Sequence, residues 1–225
     1  MQSAKPNIEA FSNLKDEARS CLDGLGMQIS YTRGNRLFTE GERSTCVFFL
    51  LSGRIKLSVT SREGKTLIVR IAEAGSLLGI SAALSSANHE LTAEAMEPSV
   101  VKAVPTRDFI LFLNTWPDAA MEATRCVLGE YQSALNDVCR LALPSTVAGR
   151  IATLLLEWQK TGFPARQYPR RFTMTLTHEE IAGMAATSRE TVTRVFNQFE
   201  REKLISIKGS SMTVLRPEAL EQLAM

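Results

Sequence analysis

The chain has 225 residues, 44% of them hydrophobic and 22% charged, with a net charge of +2. This length suits two ordinary domains, the composition is that of a soluble globular protein, and no apolar run reaches the roughly 18 residues of a membrane helix. The stretch MQSAKPNIEAFSNLKDEARS lacks the apolar core of a secretory signal, so a cytoplasmic location is expected, with no membrane partner.

Residues 9–24 carry a short amphipathic helical pattern closed by Gly24 and Gly26. From about 29 to 104 the texture is different. Short β-rich runs (VFFLLS, RIKLSVT, TLIVRIA) are separated by Gly34, Gly41, Gly53, Gly64 and Gly75, a spacing that argues for a barrel or a double-sheet roll. TSREGKT, at 60–66, predicts a hairpin turning at Gly64, which can adopt the positive φ such a turn needs.

At TRDFILFLNTWPD the period lengthens to about 3.6, and a long helix is predicted from Pro117 to about Ala142. Along it Thr124, Val127, Tyr131, Ala134, Val138 and Leu141 alternate three and four apart, the seam of a two-stranded coiled coil. Leu128, Leu135 and Ala142 offer a second face to pack on the β-domain; the alternative is that the first stripe itself packs there. ALPSTVAGR (142–150) then interrupts the helix, because Pro144 cannot continue it and Ser145 or Thr146 can cap a new one. A domain boundary is expected here, between 1–142 and 143–225. The four cysteines, Cys21, Cys46, Cys126 and Cys139, stand singly, so no zinc site or disulfide framework is signalled and reduced, packed thiols are expected.

The second part is the basic one: +3 from Leu143 onward against −1 for the rest. After TVAGRIATLLLEWQK, read as a helix, TGFPARQYPRRF predicts a loop or small hairpin. In TLTHEEIAGMAATSRETVTRVFNQFEREKLI, Thr177 and Glu180 form a capping-box pattern, Ile181 and Met184 point inward, and the short AATS link lets a second helix begin at Ser188. Val192, Val195, Phe196 and Phe199 supply the packed face of that helix, which completes a helix-turn-helix.

Arg189, Glu190, Thr193 and Arg194 remain on its outward side, where base edges are read: arginine matches the two acceptors of guanine, and a carboxylate accepts from the cytosine amino group. The bland alternative is an exposed Glu–Arg surface pair. Ser188, Thr191, His178 and Lys208, the last at the tip of a β-hairpin wing turning at Gly209, suit phosphates.

The run LTHEEIAGMAATSRETVTRVFNQFEREKLISIKG, the preceding VAGRIATLLLEW and the glycine-punctuated β-domain with its trailing helix resemble the bacterial Crp/Fnr transcription regulators over nearly the whole chain. The resemblance implies an α+β fold: an N-terminal β-roll (a double-stranded jelly-roll like cyclic-nucleotide-binding domains) serving as sensor, a long dimerisation helix, and a C-terminal winged helix-turn-helix domain. It implies a homodimer joined along that helix, double-stranded DNA with a palindromic operator as partner, and TGTGA-like half-sites read by Arg189, Glu190 and Arg194. RNA polymerase is a further partner if the protein activates, and no enzymatic activity or catalytic residue is expected.

Cyclic-nucleotide binders of the family carry a Gly-Glu-Leu segment and then an Arg-Ser or Arg-Thr pair. Here Gly79 is kept, Ile80 stands in place of the carboxylate, and Glu90-Leu91 or Leu91-Thr92 replaces the phosphate clamp. The pocket reads as vestigial, with cyclic AMP not bound tightly and the effector unknown or absent; a regulator gated by a nucleotide or other small ligand through an atypical pocket is the alternative. An iron–sulfur version would need three clustered thiolates near the N-terminus, where only Cys21 stands, and His89 is the one histidine in the sensor half. That shortage also counts against haem and against a cupin-type metal enzyme, so no cofactor or metal is expected. Cys126 and Cys139, both on the long helix, leave a redox role open.

Overall fold

A computed structural model describes residue 11, residues 13–160 and residues 171–224. Two compact units divide the chain, Met1–Ser133 and Ala134–Met225, and the division falls inside the long helix.

The first unit comprises α1 (Asp16–Gly24), β1 (Met27–Tyr31), β2 (Arg36–Phe38), β3 (Cys46–Ser52), β4 (Arg54–Thr60), β5 (Thr66–Glu73), β6 (Leu77–Leu78), α2 (Ile80–Ser85), β7 (Thr92–Ala95), β8 (Ser99–Pro105), α3 (Thr106–Thr115) and the start of α4 (Pro117–Ala142). Two antiparallel sheets, β1-β8-β3-β6 and β2-β7-β4-β5, form the predicted roll. The β4–β5 hairpin turns at Gly64, φ 81°, whose N–H donates to Ser61. Gly53 is needed for a different reason: a Cβ there would collide with Ser99. The predicted helix over 9–24 is described from Asp16; residues 1–10 and 12 lie outside the described residues.

The run VFFL is continuously apolar because β3 is covered on both faces. Val47 and Phe49 enter a cluster with Leu22, Ile80, Phe109 and Phe112, whereas Phe48 and Leu50 enter the cluster inside the roll with Ile55, Leu57 and Val101. In the first cluster the rings of Phe11, Phe49 and Phe109 meet edge to face at 5.7–6.2 Å, each such pair adding about 0.5–1.5 kcal/mol to simple burial. Lys102 is buried on β8, and its ammonium donates to the carbonyls of Leu22 (2.6 Å) and Asp23 (3.0 Å). It thereby satisfies the carbonyl end of α1.

Pro117 occupies the first position of α4, where its missing N–H costs nothing. The face α4 exposes overlaps the one the spacing suggested, at Thr124, Tyr131, Ala134 and Val138, but differs at Val127 and Leu141. Val127 packs partly buried against the first cluster, whereas Leu128 and Leu135, assigned to the β-domain, are 55% and 46% exposed. Tyr131, Val138 and Ala134 are exposed as expected, Leu141 is half-buried, and Ala142 is exposed. Among the apolar and small residues, Met121, Thr124, Leu128, Tyr131, Leu135, Val138 and Ala142 make the exposed stripe with unbroken three-four spacing.

The second unit holds the end of α4, then α5 (Val147–Lys160), β9 (Arg171–Thr173), α6 (His178–Met184), α7 (Arg189–Arg201), β10 (Ile205–Lys208), β11 (Ser211–Val214) and α8 (Pro217–Ala224). Thr146 caps α5, its Oγ1 accepting from the N–H of Gly149 at 3.0 Å. Gly149 is obligatory at a helix crossing, since a Cβ would strike the Leu223 carbonyl of α8. The β10–β11 hairpin is the predicted wing, and β9 pairs with β11 as a third strand. Most of the loop predicted in TGFPARQYPRRF lies outside the described residues.

Candidate nucleic-acid interface and effector region

The helix-turn-helix is built from its caps outward. Thr177 accepts from the N–H of Glu180 (3.2 Å) while the Glu180 carboxylate accepts from the N–H of Thr177 (2.7 Å), the reciprocal capping box that starts α6. Ser188 starts α7 by accepting from the N–H of Thr191 at 3.3 Å. Ile181, Met184, Val192, Val195, Phe196 and Phe199 are buried between the two helices and their surroundings. Arg150 of α5 donates through Nε to the Ala185 carbonyl (2.9 Å), which holds the turn between α6 and α7.

With that face committed, Arg189, Glu190 and Arg194 are left exposed on the first turns of α7. The Glu190 carboxyl is held below its ordinary range by the hydrogen bond from its own backbone N–H, then by Ser188 and by the neighbouring Arg189 charge, so it stays an acceptor. Lys208 is exposed at the wing, next to Gly209 at φ 60°. Ser188 shares a hydroxyl–hydroxyl bond with the half-buried Thr191 (3.1 Å). Thr193 is placed differently: its hydroxyl donates to the Arg189 carbonyl (3.0 Å) and meets His178 Nδ1 at 2.8 Å. Nothing in the local sequence signals this bond, which depends on how α6 crosses α7.

In the first unit Gly79, φ 77°, caps α2, and Ile80 is fully buried in the first cluster. Glu90 is exposed and accepts from the Ser81 hydroxyl (3.1 Å); Leu91 packs on the interior of the roll; Thr92 accepts from the Glu40 N–H (3.0 Å). His89 is buried and stacked on Phe38 at 3.9 Å, close to Gly79, and burial lowers its pKa, opposed by Glu90 and Glu42.

A cation that the sequence left unnoticed sits on the roll's inner row. A bulge between Leu57 and Ser58 pairs Arg70 with Leu57, and Arg70 reaches Glu130 of α4 at 3.6 Å. Burial raises the Glu130 pKa, against the Arg70 charge and with Glu90 adding to the rise.

The cysteines depart from the expectation of packed thiols: Cys21 and Cys139 are exposed. Cys126 is half-buried, and burial, with Glu122 and Glu130 nearby, pushes its pKa up to about 11, which leaves it inert as a thiolate. Among the described residues no group of three or more His, Cys, Asp and Glu side chains is arranged to hold a metal, and no helix is long and apolar enough to cross a membrane.

Comparison with known proteins matches both halves. Residues 28–115 fit the family model of the cyclic nucleotide-binding domain, and residues 149–223 that of the Crp-like helix-turn-helix domain. The fumarate and nitrate reduction regulatory protein of Yersinia pestis is 28% identical over 195 residues, covering 85% of this chain and 76% of that protein. FixK2 of Bradyrhizobium japonicum shares the fold with a TM-score of 0.76 at 19% identity over 89% of this chain and 98% of that one. TTHB099, a CRP-family transcriptional regulator of Thermus thermophilus, superposes with a TM-score of 0.69 at 25% identity, covering 87% and 96%. Roll, long helix and winged reader thus occur together and in the same order, and the chain belongs to the Crp/Fnr family of DNA-binding transcription regulators, not to a family of enzymes.

Proposed function

We propose that the protein binds a palindromic operator as a homodimer in the cytoplasm, each subunit reading a TGTGA-like half-site with α7. Arg189 and Arg194 address guanine edges and Glu190 a cytosine amino group, while Ser188, Thr191 and Lys208 hold phosphates. The observation that carries this reading is the exposure of Arg189, Glu190 and Arg194 together on the first turns of a capped helix whose opposite side is buried. Phosphates repel a carboxylate, so Glu190 is useful there only against a base. The exposed stripe on α4 supports the dimer, in the revised register of Leu128, Tyr131, Leu135 and Val138. A functional boundary at 142/143 is supported by Pro144 and the Thr146 cap, which separate α4 from α5. RNA polymerase is the further partner if the protein activates.

Cyclic AMP is not the effector in this reading. Ile80 is core, the Thr92 hydroxyl serves the backbone, and Arg70, the cation inside the roll, is already paired with Glu130. An anionic phosphate beside Glu90 would be repelled. Selection of bound sequences from random duplexes, with ligand-free protein and again with cyclic AMP, tests both parts. An inverted repeat of TGTGA-like half-sites enriched equally in the two arms is expected; enrichment only with cyclic AMP would overturn the effector reading, and no inverted repeat in either arm would overturn the operator reading.

A further inference from the structure

His178 and Thr193 are fifteen positions apart, yet their side chains meet across the two helices of the reader. The hydroxyl of Thr193 has a single proton, which it donates to the Arg189 carbonyl at 3.0 Å. The 2.8 Å contact with His178 therefore runs the other way, with the ring donating through Nδ1–H and Thr193 accepting. The ring also stands edge-on to Phe196 at 5.2 Å, so both its polar and its apolar sides are engaged by α7. The Nδ1–H of the ring is thus committed to Thr193 and the ring edge to Phe196, so the side chain is held by α7 before any phosphate arrives.

We infer that His178 and Thr193 form a clasp that fixes the recognition helix against its supporting helix, and that neither side chain reads the operator. His178 anchors the clasp on α6. Thr193 passes it to the Arg189 carbonyl, on the first turn of α7, where two of the three base-reading side chains begin. Both are positioning residues for Arg189 and Glu190. The inference rests on the proposal that α7 reads bases, and it replaces the roles that sequence alone suggested for Thr193 and His178.

The test is a double-mutant cycle on the 225-residue chain, with operator affinity measured by fluorescence anisotropy on the selected duplex, on single-base variants of it and over a range of salt. His178→Ala and Thr193→Val should each weaken binding roughly three- to tenfold, the value of one intramolecular hydrogen bond. The double variant should be no weaker than the worse single one. His178→Asn, which keeps a donor near Nδ1, and Thr193→Ser, which keeps the hydroxyl, should bind within about twofold of the native chain and show that any loss in the first pair is not misfolding.

Neither substitution should alter the preferred base at any position or the salt slope. A changed base preference in Thr193→Val would make Thr193 a reader and overturn the clasp. A flatter salt slope in His178→Ala would make His178 a phosphate ligand, with the same consequence; losses that multiply in the double variant would show that the two side chains act separately. Arg194→Ala in the same assay is the control: if it too leaves base preference unchanged, the failure lies with α7 as the reading helix and not with the clasp.

Discussion

Arg194→Ala and Glu190→Ala are each expected to cost about 1–3 kcal/mol of operator affinity and to relax or change the preferred base at one position of each half-site. The magnitude follows from what each side chain offers. A guanidinium donates to two acceptors on one guanine edge, so truncating it leaves both acceptors without a partner in a partly dehydrated groove. The Glu190 carboxylate is ionised and exposed before DNA arrives, so it needs no change of charge to accept from a base. Its removal should cost affinity for the cognate sequence and gain affinity for some non-cognate ones, because the repulsion of phosphate disappears with it. Lys208→Ala, at the wing, should behave otherwise: weaker binding to all sequences alike and a salt slope reduced by about one. Anisotropy titrations of the three variants on cognate and single-base-changed duplexes, at several salt concentrations, separate the two patterns. Identical behaviour of all three would mean that α7 docks without reading.

The second large effect is expected on α4. Leu135→Glu places a carboxylate in the middle of a stripe in which Leu128, Tyr131, Leu135 and Val138 are 55%, 61%, 46% and 61% exposed in the single chain. In a two-stranded pairing along this stripe the substituted position faces its own copy, so two carboxylates would be brought together in an apolar seam and each lose its water. The dimer should give way to monomer at micromolar concentration, as read by sedimentation. Operator affinity should then fall about 10²- to 10⁴-fold, the gain that two linked half-site contacts have over one. Val127→Glu distinguishes the two registers. Val127 packs on the first cluster of its own unit, so the substitution should lower the melting temperature of the chain. Loss of the dimer in Val127→Glu, with Leu135→Glu unaffected, would return the seam to the register suggested by spacing alone.

That choice of register shows where sequence reading stops. The period of α4 identified a helix with an apolar stripe, but both Val127 and Leu128 are apolar and only the packing of Val127 on the Phe109 and Phe112 cluster decides which of them is left over. The roll was legible because its strands are short, β-branched and divided by turn glycines, and because VFFL has no polar residue on either face. Arg70 was not, since the bulge at Leu57/Ser58 sets which residues of β5 share the inner row, and a bulge has no reliable sequence mark. In the reader the outward residues could be picked out because Val192, Val195, Phe196 and Phe199 leave them no other side, and the caps at Thr177 and Ser188 fixed where each helix begins. The bond between His178 and Thr193 stayed hidden because it joins two helices whose crossing geometry no local pattern specifies.

Two copies of the chain are expected each to present one α7 to one half of an inverted repeat. This arrangement is tested most directly by measuring the mass of the complex, by sedimentation, on the selected duplex and on the same duplex with one half-site scrambled. Two chains bound to the intact duplex in a single step, with affinity for the scrambled duplex at least about a hundredfold weaker, is the result the account predicts. One chain per duplex, or equal affinity for the intact and scrambled sites, would contradict it.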